Sequence, residues 1–129
     1  MSLPRIVLDT NVLVSALLSP GGNPAKIYRM FFTGAVVLVY SESIMMEYMD
    51  VLYRPNLRIS NEDADKVLDA IRLHGELVEP TQSTIALTDE DDRIFYDAAE
   101  IADAFLVTGN LRHYPNEPRI LSPAEFLDL

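Results

Sequence analysis

Three acidic side chains lie where they could bind a divalent cation. Asp9 follows the apolar residues 6–8, Glu47 lies inside an apolar helical segment, and Asp92 ends the acidic run 89–92. Mg²⁺ prefers octahedral oxygen coordination, keeps several waters and is bound through only a few carboxylates. Such an ion lowers the pKa of its bound water and neutralises phosphate oxygens. These residues are therefore the right number and kind to bind such an ion, whose chemistry suits the hydrolysis of a phosphodiester.

Each acid also has a simpler interpretation. Asp9 could stabilise the positive end of the helix that follows it, and Glu47 could be solvated at the edge of an apolar face. The acidic run could compensate the dipole of the helix that it opens, at about 0.3–1 kcal/mol per acid. Four consecutive acids exceed what capping needs, however, and a bound cation would relieve their mutual repulsion.

Polar side chains near these acids could support the same site. Asn11 and Thr108 are expected to orient ligands or a bound water. Asn110 follows a predicted strand at residues 104–107, as Asp9 follows the first strand, so it could face the same crevice. The Gly-Asn pair at this point is equally good turn chemistry, and the two roles are compatible.

Basic and aromatic side chains could hold single-stranded RNA. Arg93, Arg112 and His113 lie near the predicted sheet end or its loops, although solvated surface is the default for each. Tyr48 or Tyr114 could stack on bases. A net charge of −10, from 20 acids and 10 bases, argues against a sequence-blind nucleic-acid binder. It does not exclude a nuclease, because bound cations partly neutralise clustered acids.

The elements that position these residues alternate between strand and helix. With 49% hydrophobic residues and no cysteine, residues 1–129 are expected to form one domain without disulfides. Hydrophobic periodicity and capping signals predict an α/β fold with a mostly parallel sheet, whose carboxyl edge binds ligands. Residues 81–87 permit a loop or a strand. The predicted strands are 5–8, 35–39, 76–79, 104–107 and 119–121, and the predicted helices begin near residues 11, 24, 41–43, 60, 92 and 122.

The early apolar stretch superficially resembles a signal-peptide core. Asp9 and Asn11 interrupt it, and no apolar run approaches the roughly 20 residues of a membrane span. We therefore expect a cytoplasmic protein without a membrane segment.

Taken in order, four segments resemble a PIN domain, a family of metal-dependent nucleases: IVLDTNVL, SESIMMEYMDVL, DEDDRIFYDAA and ADAFLVTGN. The resemblance covers nearly all residues and implies a PIN-like three-layer sandwich, with helices flanking the central sheet. It implies that Asp9, Glu47 and Asp92 bind Mg²⁺ or Mn²⁺. Many PIN domains carry a fourth acid at the position of Asn110, whose amide adds no charge. The resemblance is therefore compatible with either one or two bound metal ions.

VapC-type toxins of bacterial toxin–antitoxin systems are similar in length and layout. This resemblance implies an endoribonuclease that cleaves single-stranded RNA and has an antitoxin protein as partner. It also contributes to the expectation of a homodimer, for which the chain supplies many apolar side chains. Those singled out are Met30, Phe31, Phe32, Met45, Met46 and Met49.

Two other functions remain open. A PIN-like module that binds RNA or a partner without catalysis is supported by Asn110. A phosphatase with an aspartyl nucleophile, similar to the haloacid-dehalogenase type, would need Asp-x-Asp after the first strand. Here Asn11 occupies the position of the second aspartate. The two lysines, Lys26 and Lys66, are unsuitably placed. A nuclease would release RNA fragments, a phosphatase inorganic phosphate, and a binding module neither.

Overall fold

The computed structural model describes residues 3–129, and this part contains five strands and six α-helices. The strands are β1 (Arg5–Leu8), β2 (Val37–Tyr40), β3 (Glu76–Leu77), β4 (Phe105–Val107) and β5 (Ile120–Leu121). The helices are α1 (Thr10–Leu18), α2 (Asn23–Phe32), α3 (Glu42–Leu52), α4 (Asn61–His74), α5 (Arg93–Ala102) and α6 (Pro123–Leu127). Short 3₁₀ helices span Pro55–Leu57, Glu90–Asp92 and Leu111–His113.

The strands form one parallel sheet in the order β3-β2-β1-β4-β5. In this order β1 is central, with Ile6 opposite Leu38 of β2 and Val7 opposite Leu106 of β4. Because all strands run the same way, the residues that follow β1, β2 and β4 meet at one edge of the sheet. The predicted α/β class with a parallel central sheet is confirmed.

The core forms around the central strand. Ile6, Val7 and Leu8 are completely buried, which explains why β1 is uniformly apolar rather than alternating. In α3, Ile44 and Tyr48 are also completely buried, while Glu47 lies beside them at the border of the apolar face. This placement brings the Glu47 side chain toward the end of β1.

The helix ends follow the capping signals. Ser41, Ser60 and Ser122 each accept a hydrogen bond from the backbone N–H three residues later, which caps α3, α4 and α6. A Cβ at Gly75 would lie 2.5 Å from the carbonyl oxygen of Ile71, so this close approach requires glycine.

Two expectations needed the structure to decide them. Residues 81–87 form a loop, which Arg93 ties down by donating hydrogen bonds to the carbonyls of Ser83 and Ile85. Among the apolar side chains expected at a dimer interface, Phe31 and Met45 are instead buried in the core. Phe32 and Met46 are 74% and 69% exposed.

No helix within the described residues 3–129 combines the length and the apolar character required to cross a membrane.

Candidate metal and catalytic site

Asp9 lies directly at the carboxyl end of β1. Its backbone N–H bonds to the carbonyl of Val107 at 3.0 Å, which extends the pairing with β4 by one step. Its carbonyl accepts hydrogen bonds from the N–H groups of Val12 and Leu13, so the same residue begins α1. The side chain is 6% exposed. The strand and the helix together therefore fix the position of this buried carboxylate.

Two hydroxyl groups hold the Asp9 carboxylate in place. Its Oδ2 accepts hydrogen bonds from the hydroxyls of Thr108 at 2.8 Å and Tyr114 at 3.1 Å. The Thr108 hydroxyl in turn accepts the backbone N–H of Asn110 at 2.9 Å. Thr108 is completely buried, so its hydrogen bond to Asp9 is shielded from water.

Burial raises the pKa of the Asp9 carboxyl above its ordinary value. The hydrogen bonds from Thr108 and Tyr114, the backbone of Thr10 and the nearby His113 offset part of this shift. The pKa of Tyr114 is raised by burial and then by the charge of Asp9, so its hydroxyl keeps its proton and acts as a donor. The site thus holds a carboxylate that burial disfavours as a free anion.

Asp92 lies at the end of the 3₁₀ helix Glu90–Asp92, near Tyr114, and does not line the cleft that Asp9 and Glu47 share. Its Oδ2 is 3.0 Å from Nδ1 of His113, and the residue is 9% exposed. Burial raises the pKa of Asp92, the negative charge of Asp9 raises it further, and His113 lowers it in part. Asp9 and Asp92 are therefore two buried carboxylates, and the negative charge of Asp9 disfavours the charged form of Asp92.

Glu47 borders the cleft that Asp9 lines. Its Oε2 accepts a 3.3 Å hydrogen bond from the hydroxyl of Thr10, in the first turn of α1. Arg54 lines this cleft as well, and its guanidinium forms an ion pair with Asp50 at 2.8 Å. Nothing in the local sequence pattern of Arg54 places it beside α1.

This donor set fits a hard divalent cation. Within residues 3–129, neither Asp9 nor Glu47 forms an ion pair with lysine or arginine, and Asp92 pairs only with His113. Buried charges normally require a partner, and carboxylate oxygens suit Mg²⁺ and Mn²⁺. A cation bound among these carboxylates would supply the missing positive charge.

A second group of possible ligands includes Asp92 but neither Asp9 nor Glu47. Possible ligand atoms of Asp89, Asp92 and His113 all lie within 4.8 Å of one another. Asp89 is exposed and its Oδ1 accepts the backbone N–H of Asp91 at 3.0 Å. Only the fold brings Asp89 near His113.

The two asparagines lie on the loop side of the site. Oδ1 of Asn11 accepts the backbone N–H of Gly109 at 3.2 Å, which connects α1 to the loop after β4. Asn110 is exposed and borders an adjoining cleft with Arg112 and His113, rather than the cleft that Asp9 and Glu47 line.

The predicted RNA-binding residues differ in whether their side chains are free to contact a ligand. Arg112 is exposed, and the side chain of His113 is 40% exposed. Arg93 instead donates hydrogen bonds to the Glu90 carboxylate and to the loop at Ser83 and Ile85. Contacts inside the protein therefore occupy the guanidinium of Arg93.

The stacking role considered for two tyrosines is wrong. Tyr48 is completely buried and donates a 2.6 Å hydrogen bond to the carbonyl of Leu8. Tyr114 is 7% exposed and its hydroxyl bonds to Asp9. Both rings lie beneath the site and support it. The support from Tyr114 was missed, because residues 109–114 carry no periodic pattern that would indicate burial.

Comparisons with known proteins show the family to which the chain belongs. The PIN domain family matches residues 5–112. An uncharacterized protein of Methanocaldococcus jannaschii is 34% identical over 109 residues, which cover 82% of this chain and 70% of that protein. A chain in the crystal structure of VapBC2 from Rickettsia felis, bound to a DNA fragment from their promoter, superposes with a TM-score of 0.60. That match covers 92% of this chain and 97% of the other at 16% identity, so it bears on the fold alone. The chain belongs to the PIN domain family.

Proposed function

We propose that the protein is a metal-dependent endoribonuclease that hydrolyses phosphodiester bonds of single-stranded RNA with Mg²⁺ or Mn²⁺. The observation that carries this proposal is the buried pair of Asp9 and Asp92 at the carboxyl edge of the sheet. In the described part of the chain, no lysine or arginine neutralises either side chain. Membership of the PIN domain family adds support.

Some residues of the site would bind the cation, and others orient the carboxylate of Asp9. Asp9, Glu47 and Asp92 would hold the cation, which activates a water and neutralises charge on the phosphate oxygens. Thr108 and Tyr114 keep Oδ2 of Asp9 in one orientation. In the hydrolysis, a water oxygen bonds to phosphorus as the water gives up a proton to solvent, and one P–O ester bond breaks. The leaving oxygen takes a proton from solvent.

The substrate must approach an acidic protein, so local cations matter more than the net charge. Arg112 and His113 are exposed beside the site, and Arg54 borders the cleft of Asp9 and Glu47. Arginine binds phosphates through planar, bidentate hydrogen bonds. The two arginines would hold the phosphates on either side of the scissile bond.

We also propose that the protein is cytoplasmic and is the toxin of a toxin–antitoxin pair. The fold-level similarity to a chain of VapBC2 supports an antitoxin as partner. Exposed Phe32 and Met46 provide apolar surface for self-association as a homodimer. Light scattering at micromolar concentration should report a dimer, and a monomer would contradict this part of the proposal.

Incubation of purified protein with a panel of RNAs and Mn²⁺ tests the proposal. The wild type should produce RNA fragments, a chelator should abolish cleavage, and Asp9→Asn should cleave far more slowly. Asp128→Asn, which removes an exposed charge beyond α6, is the matched control and should cleave normally.

The second candidate function is a non-catalytic PIN-like module that binds RNA or a partner. The neutral Asn110 at the place of a fourth acid favours it. This module would bind RNA but produce no RNA fragments in the presence of Mg²⁺ or Mn²⁺. An aspartyl phosphatase would instead release inorganic phosphate from phosphomonoesters.

A further inference from the structure

We propose that His113 is a direct ligand of a divalent cation bound at Asp92, together with Asp89, and supplies the ligand that the neutral Asn110 cannot. This inference rests on the proposed nuclease function. It concerns which side chains of this chain bind the ion, and which ion they favour.

The geometry of three side chains carries the proposal. Possible ligand atoms of Asp89, Asp92 and His113 lie within 4.8 Å of one another, so one ion can contact all three. Nδ1 of His113 is already 3.0 Å from Oδ2 of Asp92. A carboxylate has two oxygens, so Asp89 can cap Asp91 with Oδ1 and still offer its other oxygen to an ion.

The turn after β4 explains how a histidine reaches this position. The backbone N–H of His113 bonds to the carbonyl of Asn110 at 3.0 Å, which closes the 3₁₀ turn Leu111–His113. This turn brings the side chain three residues beyond Asn110 back toward Asp92. Asn110 itself is exposed, and its backbone N–H bonds to the Thr108 hydroxyl. The neutral residue and the new ligand therefore belong to the same turn.

The cluster is open to solvent and lacks a competing cation. The side chain of His113 is 40% exposed and that of Asp92 is 13% exposed, so an ion can enter and keep water ligands. Within the described residues, neither Asp89 nor Asp92 forms an ion pair with lysine or arginine. An ion here would bring positive charge to Asp92, whose carboxylate faces the repulsion of Asp9.

A nitrogen ligand has a consequence for metal preference. Carboxylate and water oxygens suit both Mg²⁺ and Mn²⁺, but Mn²⁺, as a transition-metal ion, accepts an imidazole nitrogen more readily than the harder Mg²⁺ does. The wild type should therefore bind Mn²⁺ more tightly than Mg²⁺. His113→Gln should weaken Mn²⁺ binding at least about 10-fold, the lower end of what outer-shell partners are worth, and Mg²⁺ binding less. His113→Asp should shift the preference toward Mg²⁺.

The alternative role for His113 is a hydrogen bond that only orients Asp92. Pulsed electron paramagnetic resonance of bound Mn²⁺ distinguishes the two roles, because a directly bound imidazole couples its ¹⁴N nucleus to the ion. The chain has two histidines, and His74 lies exposed at the end of α4, which makes His74→Gln a matched control.

We expect ¹⁴N coupling in the wild type and in His74→Gln, and its loss in His113→Gln. Labelling the histidines of the wild type with ¹⁵N should replace the ¹⁴N coupling by ¹⁵N coupling. This experiment tests the ligand without a substitution that could disturb folding. Bound Mn²⁺ without histidine coupling, in a protein that still cleaves RNA, would overturn this proposal and leave the nuclease function intact. A protein that binds no Mn²⁺ and cleaves no RNA would overturn both.

Discussion

The hydroxyl of Thr108 donates a 2.8 Å hydrogen bond to Oδ2 of Asp9, although the two residues are 99 positions apart in the chain. Each residue immediately follows one of two neighbouring parallel strands, β1 and β4. The backbone N–H of Thr108 also bonds to the carbonyl of Leu121 in β5 at 3.0 Å. The orientation of the Asp9 carboxylate is therefore fixed by pairing across three strands.

Thr108→Val should weaken metal binding. It keeps the shape of the side chain but removes the donor to Asp9 and the acceptor for the N–H of Asn110. Loss of an outer-shell partner of this kind typically lowers metal affinity or activity by about 10–100-fold. Isothermal titration with Mn²⁺ measures the effect. Thr108→Ser keeps the hydroxyl and should stay close to wild type, whereas equal losses in both variants would argue against this role.

The stability of the metal-free protein should depend on the charge of Asp9. Burial raises the pKa of its carboxyl, so the folded state retains a proton that the unfolded chain has released. Its contribution is most favourable below the unfolded pKa of about 3.8 and is lost as pH rises through the folded pKa. Asp9→Asn cannot lose that proton, so it should be more stable than wild type at neutral pH.

The comparison should be made in chelator between pH 4 and pH 7. The Tm of Asp9→Asn minus that of wild type should increase with pH, and this difference cancels the acid sensitivity of the other carboxylates. A difference that stays constant with pH would contradict the assignment. Added Mn²⁺ should raise the Tm of wild type more than that of the variant.

Tyr48→Phe should destabilise the fold. The hydroxyl of this completely buried residue donates to the carbonyl of Leu8 at 2.6 Å, and its loss leaves that acceptor without its donor. A buried group left unsatisfied costs about 1–3 kcal/mol, which denaturant unfolding can measure. Tyr53→Phe is the control, because its hydroxyl contacts Asp65 on the surface and should change stability by less than about 0.5 kcal/mol. Equal effects in both variants would refute the role of Tyr48.

Much of the fold could be predicted because local patterns carry it. The apolar run of β1 and the serine caps of α3 and α4 each specify an element without reference to the rest of the chain. The predicted strand at residues 35–39 instead begins at Val37 and includes Tyr40. Apolar residues continue across this boundary, so only pairing with β1 determines which of them are in the strand.

The candidate site was predictable only in part, for a different reason. Local patterns indicated two of its residues: Asp9 follows the apolar run of β1, and Asp92 ends the acidic run that precedes α5. The partners of Asp9 depend on long-range packing: Tyr114 donates to it from 105 positions away. Both tyrosines are next to predicted site residues in the sequence, Tyr48 after Glu47 and Tyr114 after His113, and this neighbourhood does not show whether a ring is buried or exposed.

The measurement that tests the central claim most directly is RNA cleavage by the wild type and by Asp9→Asn under the same Mn²⁺ concentration, each with and without a chelator. The wild type should cleave only without chelator. Asp9→Asn should be slower by more than the roughly 100-fold that losing an outer-shell partner can cost, while its Tm in chelator remains at or above that of wild type. Equal cleavage by both proteins, unaffected by the chelator, would contradict metal-dependent catalysis at Asp9.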